Sequence, residues 1–477
     1  MRRMIVLLAA ASLWLPVAGS AVGAPAETPE PAATPDPAAK QPQVERQPQA
    51  EQQPQAEQPP QAEQRPQAEQ RQEAQPQQAR PAQAAMDSAA LGKAQAKLGF
   101  HLIDKLSGPA KEQPKGPAKG PANKGEAAKG EASKGEANHI VSPASLAAAL
   151  ALIDLGANPQ MRAALAKTLA LEGNTDKLAA LRERVKALAA ETGGPLTTAN
   201  AIVIDPKAQP YPTAVEKLAA SGAEVTVESL SDAATLKRIN DWVKERTSGL
   251  IPSILEQAPR EGGLVALNAL HFKDRWLNRF DPALTKPAPF QTIGAPAAEV
   301  PMMQLTDARL RFRRQSSFVA VELPYVTERF RLVVITTTDK PARVAQFNTV
   351  ADWLTGDGFT ESPGELSLPR FTLGSSVDLL KALDALGLRP ARLSPGALSE
   401  LSPGPMMITQ VMQRTEIKVD EAGTEAAAAT AVVTSRGVTL DYVKMTVDKP
   451  FMFALRDADS GLVLLTGYVG NAKVLAS

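Results

Sequence analysis

An α+β fold is predicted by three observations. Apolar residues recur at helical spacing in the first part of the patterned region, extended apolar runs fill the later part, and the two are not interleaved as a strand–helix repeat. The pattern runs from residue 87 to residue 477, so one large domain of that extent is expected.

The elements follow in order. Met86 to Leu106 reads as an amphipathic helix marked by Leu91, Leu98, Leu102 and Ile103. Residues 107–137 then consist of Lys, Gly, Pro, Ala and Glu with both charges alternating, which predicts a solvated, disordered insert. Ser142 followed by Pro143 reads as an N-cap and first-turn proline, Leu146, Ala149, Leu150 and Ile153 continue the helix, and Gly156 closes it. Leu178, Leu181, Val185 and Leu188 mark another helix. A third is capped by Ser231, with Leu236, Ile239 and Val243 on its inner face.

Strands come next. Leu264 to Leu270 is continuously apolar, as in a strand covered on both faces. Arg309 to Arg313 alternates with period two. Phe330 to Thr337 and Glu365 to Leu373 also read as strands, and Val377 to Leu386 as a helix ending at Gly387. Phe451 to Arg456 and Leu462 to Val469 form two strands around the turn 457–461.

Ahead of this region, Arg2 and Arg3 precede an apolar run from Met4 to Leu15, and Ala21-Val22-Gly23 fits a signal-peptidase site. Residues 1–23 are therefore expected to be a signal peptide, with a buried helix as the alternative, and the protein to be secreted into the periplasm or beyond it. Residues 24–86 carry Q-P-Q-A-E-Q-type hexapeptides with too little apolar surface to offset ordering entropy. They predict a disordered, semi-stiff stalk: a spacer, or a means of cell-wall association.

Composition removes several functions. The chain holds no cysteine and three histidines, His101, His139 and His271, so thiolate nucleophiles and Cys-based metal sites are excluded. G-x-S-x-G, H-E-x-x-H, phosphate-loop and G-x-G-x-x-G motifs are missing. A net charge of +1 gives no reason to expect nucleic acid. No enzyme, metal site, cofactor or membrane span is expected.

One segment stands out, from Glu421 to Gly437. Thr424, Ala426, Ala428, Thr430, Val432 and Thr434 are small and uncharged, and on a strand they would share one face, with Glu425 on the other. Taken alone, its four alanines also allow a short helix. A strand with such a face could enter an existing sheet without burying charge.

This stretch resembles the E-x-G-T-E-A-A-A-A-T hinge and reactive loop of inhibitory serpins. Further resemblances lie in order: Asn138 to Leu146, Ile239 to Ile251, Leu267 to Lys273 with Trp276, Val300 to Met303, Glu322 to Tyr325, Leu368 to Phe371 and Asp448 to Phe451. The chain departs from the family where Gln413 stands in place of a frequent histidine. It departs again in its closing stretch 464–472, which lacks the usual Phe and Pro, and in the 107–137 insert.

The resemblance implies a multi-helix fold with three β-sheets and a reactive loop at about 421–445. It implies a hinge of Glu421, Gly423, Thr424, Glu425, Ala426, Ala427, Ala428, Ala429 and Thr430, with Ser142, Ser145, Asn268 and Gln413 where the sheet opens. It further implies a monomeric inhibitor that traps a target serine protease covalently after cleavage of the loop. Arg436–Gly437 is the expected scissile bond, for a trypsin-like enzyme, and Gly437–Val438 is the next choice. Cleavage near Val433 or Thr434 by an elastase- or subtilisin-like enzyme competes. A polyanion is the further partner the resemblance allows, on Arg309, Arg311, Arg313 and Arg314 or on Lys177, Arg182, Arg184 and Lys186, although a solvated charged face is the preferred reading of both clusters. Rival readings are a non-inhibitory serpin (chaperone, carrier or storage protein), an inhibitor of cysteine proteases and a secreted hydrolase.

Overall fold

The structure, a computed structural model, describes residues 80–108, 136–171, 176–190, 194–247, 249, 251–259, 261–424 and 442–475. The expected signal peptide, nearly all of the stalk, most of the 107–137 insert and the loop from Glu425 to Asp441 lie outside the described residues.

Helices α1 (Arg80–Ser107), α2 (Pro143–Ile153), α3 (Pro159–Thr168), α4 (Asp176–Ala190), α5 (Pro212–Ala220) and α6 (Ala233–Arg246) precede most of the strands. The strands are β1 (His139–Val141), β2 (Leu196–Ile204), β3 (Glu224–Val227), β4 (Gly263–Phe272), β5 (Asp274–Arg275), β6 (Lys286–Thr292), β7 (Ala295–Gln315) and β8 (Phe318–Pro324). They continue as β9 (Phe330–Thr337), β10 (Thr360–Pro369), β11 (Phe371–Asp378), β12 (Met407–Val419), β13 (Gly423–Thr424), β14 (Val443–Thr446), β15 (Phe451–Asp457) and β16 (Val463–Val469).

Among the described residues they form three sheets. One has nine strands in the order β1-β16-β15-β9-β8-β7-β10-β14, with β6 also on β7. A second has five, in the order β11-β12-β4-β2-β3, and β13 with β5 makes the third. Every residue of α2 is buried, because its Ala- and Leu-rich surface packs in the same core as both large sheets. On the opposite face of the five-stranded sheet, Ile239 and Val243 of α6 cover Ala199, Val203, Val265 and Leu267.

Several boundaries differ from the sequence reading. Helix α1 starts at Arg80, since Ala and Gln sustain a helix without supplying apolar marks. The α6 cap is Asp232, whose carboxylate accepts from Ala234 N–H, while Ser231 donates to Glu261 instead. The stretch 365–373 is divided at Arg370 between two sheets, and Val377 belongs to β11, with the following helix reduced to Leu380–Ala385. Glu136, at the end of the insert, is folded: it accepts from Tyr468 Oη at 2.7 Å, Arg343 Nη1 at 3.0 Å and Val344 N–H at 3.2 Å.

Candidate functional site

The candidate site is the seam between β4 and β12 and the turn that leaves β12. Strand β4 is buried at all ten positions, and β12 alternates, with Val411, Gln413, Thr415, Ile417 and Val419 inward. These two neighbours run parallel, whereas β12 is antiparallel to β11 and β4 to β2. A strand that turned back from the end of β12 into the gap between β4 and β12 would therefore be antiparallel to both. Parallel ladders are slightly weaker per residue than antiparallel ones, so the seam is weaker per residue than the β11–β12 and β2–β4 ladders that flank it.

Four sequence-marked residues sit at this seam. Gln413 and Asn268 face each other in the register. Gln413 does not bond Asn268; its Oε1 accepts from Ser142 N–H at 2.7 Å and its Nε2 donates to Ser142 O at 2.9 Å. Ser142 in turn caps α2 by accepting from Ser145 N–H, and its Oγ donates to Leu464 O at 2.6 Å. The amide of Asn268 instead donates to Asn200 on β2, and its buried Oδ1 finds no partner among the described residues. At the level of Gln413, then, each side chain is tied to its own side of the seam. Asn200, which carries no recognisable motif, was not singled out by the sequence.

The turn after β12 is built from the hinge motif. Asp420 N–H donates to Gly423 O at 3.0 Å, closing a two-residue turn over Glu421 and Ala422. Asp420 Oδ1 accepts from the N–H groups of Ala422 and Gly423. Trp276 clamps this turn from outside, its Nε1 donating to Asp420 O at 2.9 Å and its backbone N–H to Ala422 O at 3.0 Å. Gly423 is required by contact: a Cβ there would lie 2.3 Å from Asp274 O and 2.6 Å from Arg275 Cα. Thr424 is fully buried and shares a 2.8 Å hydrogen bond with Tyr325 Oη, so the described end of the hinge is packed rather than exposed.

Glu421 locks the turn to β10–β11. Its Oε1 accepts from Arg370 Nη2 and from Thr285 Oγ1 at 2.6 Å. Burial opposes ionisation of Glu421, but the guanidinium and hydroxyl outweigh it, and the carboxyl is held below its usual range. The hinge residues Glu425, Ala426, Ala427, Ala428, Ala429 and Thr430, and the expected scissile positions Arg436, Gly437 and Val438, lie outside the described residues.

The basic stripe of β7 is occupied by local partners. Arg309 pairs with Glu361, Arg311 with Glu322, Arg313 stacks 4.6 Å from the Trp353 ring centroid, and Arg314 donates to Lys444 O. Among the described residues, no group of three or more His, Asp or Glu is placed to hold a metal, and no helix is long and apolar enough to cross a membrane.

The family to which this fold and hinge belong is shown by comparison with known proteins. The family model for serpins, described as serine protease inhibitors, matches residues 128–472. The chain is 30% identical over 364 residues to Serpin-Z2B of Triticum aestivum, covering 70% of this chain and 90% of that one. It is 29% identical over 357 residues to the leukocyte elastase inhibitor of Bos taurus, covering 70% and 93%. Among solved structures, the native state of the thermophilic serpin tengpin aligns with a TM-score of 0.65 at 23% identity, over 80% of this chain and 94% of that one. Human thyroxine-binding globulin aligns at 0.66 with 18% identity, over 82% and 100%. The chain belongs to the serpin family, whose members are in the main protease inhibitors rather than catalysts.

Proposed function

We propose that this serpin is an exported, single-use inhibitor of serine proteases. A protease cuts the loop after Arg436, and before the acyl-enzyme hydrolyses, the freed strand enters the β4–β12 seam and drags the enzyme with it. The observation that carries this reading is the register of the turn. Residues 420 and 423 already face each other, and that register, extended along β12, sets residue 424 opposite 419 and continues in phase as far as Val411, beyond which β12 is bulged between Ile408 and Gln410.

Ala426, Ala428, Thr430 and Val432 then meet the inward-facing Ile417, Thr415, Gln413 and Val411, so small side chains enter the core. Glu425 falls opposite Lys418, on the outer face. Thr430 arrives between Gln413 and Asn268, within reach of the unpartnered Asn268 Oδ1. Past the bulge, Arg436 falls within one residue of Met407, the first residue of the 13-residue β12. Insertion up to the cut therefore uses the whole strand, a travel of about 40 Å at roughly 3.3 Å per residue. Arg436–Gly437 is chosen for its side chain, because a guanidinium suits the acidic specificity pocket of a trypsin-like target.

Incubation with trypsin should yield an adduct that survives boiling in detergent, with the released peptide beginning at Gly437 by mass spectrometry. Clean cleavage without an adduct would indicate a non-inhibitory serpin. A peptide beginning elsewhere would move the scissile bond and the target class.

A further inference from the structure

In the nine-stranded sheet, three guanidinium groups converge on one carboxylate. The Glu322 side chain is fully buried. Its Oε1 accepts from Arg311 Nη1 at 2.5 Å and from Arg331 Nη1 at 3.2 Å, and its Oε2 from Arg456 Nε at 2.9 Å and Nη2 at 2.7 Å. Three positive charges thus share a single negative one. No second carboxylate pairs with these arginines among the described residues. Asp457, adjacent to Arg456, is held by Arg329, and Glu361, opposite Arg311 in the ladder, reaches Arg309.

Partly buried cations ordinarily find a counter-charge for each unit of excess. Arg311 also gives its Nη2 to Phe359 O at 3.3 Å, so Arg331 is the under-used member and Arg311 contributes chiefly its charge. Arg331 gives one donor to Glu322, and its buried Nε finds no acceptor among the described residues. Side-chain exposure rises from 12% at Arg456 through 25% at Arg331 to 35% at Arg311, so the cluster opens to solvent on the Arg311 side. Its inner wall is kept clear by Gly356, where a Cβ would lie 2.4 Å from both Arg456 Nε and Glu322 Oε2.

We propose that this cluster binds a tetrahedral oxyanion, a phosphate or sulfate group, seated on Arg331 and Arg311. The planar guanidinium offers paired donors to two oxygens of such a group, and the excess charge supplies the attraction. The site is independent of the reactive loop and of the inhibitory reading.

The test is thermal denaturation of the full chain against inorganic phosphate, with sodium chloride at matched ionic strength. Phosphate should give a saturable rise in Tm that chloride does not, and Arg331→Gln should weaken the apparent affinity about tenfold or more, the scale of one charge-assisted hydrogen bond. This variant leaves Glu322 with Arg311 and Arg456, which favours folding. Should it not fold, Arg331→Lys, which keeps charge but loses the fork, should give an intermediate response. An equal rise with chloride, or an undiminished phosphate response in the variant, overturns the site. A sulfated oligosaccharide as third titrant identifies the source: a response above that of free sulfate at equal sulfate concentration assigns a glycan, and an equal response a free anion.

Discussion

The side chain of Glu421 joins the turn after β12 to Arg370, between β10 and β11, and to Thr285. Because its carboxyl is held below the usual value of 4.5, the folded state binds a proton less readily there than the unfolded chain does. Its contribution is therefore complete above the unfolded pKa and is lost as pH falls through the folded one. Glu421→Gln should lower stability at pH 7 by about 1 kcal/mol, since a neutral amide makes a weaker bond to Arg370. That deficit should shrink at acid pH, as the pH falls through the lowered folded value and the native carboxyl takes up its proton as well. Melting temperatures at neutral and acid pH decide the matter, and a deficit that stays constant would remove the ion pair from the account.

At the scale of elements, Gln413 shows what a primary amide does in the seam. It satisfies both the N–H and the C=O of Ser142, holding β12 to the start of α2. A neutral imidazole could serve as donor and acceptor too, but a protonated one only donates. Gln413→His should therefore match the native Tm near pH 8 and fall behind it as pH drops below about 6.5. A Tm difference that ignores pH would contradict this role.

Legibility from sequence varied for equally physical reasons. The strand 330–337 was readable to the residue because its buried run Leu332 to Ile335 is apolar and largely β-branched and is extended by two threonines. Helix α2 was readable from its Ser-Pro cap, confirmed by the Ser142 side chain accepting from Ser145 N–H. Strand β12, central to the site, could not be read from pattern alone, since its inward face includes the polar Gln413 and Thr415. The burial of Thr424 was also hidden, for it depends on Tyr325, 99 positions away.

For the whole molecule, the proposed mechanism makes the native state less stable than the state it reaches after cleavage. Insertion exchanges one parallel ladder for two antiparallel ones. At about 1 kcal/mol per net hydrogen bond, a dozen new bonds are comparable with the typical whole-domain stability of about 5–15 kcal/mol. Protein nicked within 425–441 should then melt well above the intact form. Equal melting temperatures for the two forms would contradict insertion.

The closed turn at Asp420–Gly423 has one more consequence. Because it fixes the starting phase of whatever follows, the proposed insertion depends on arithmetic as well as composition: odd and even places downstream would have opposite fates. One extra residue between Gly423 and Glu425 would turn that acid inward beside Ile417. The spacing of this loop is thus under the same constraint as its chemistry.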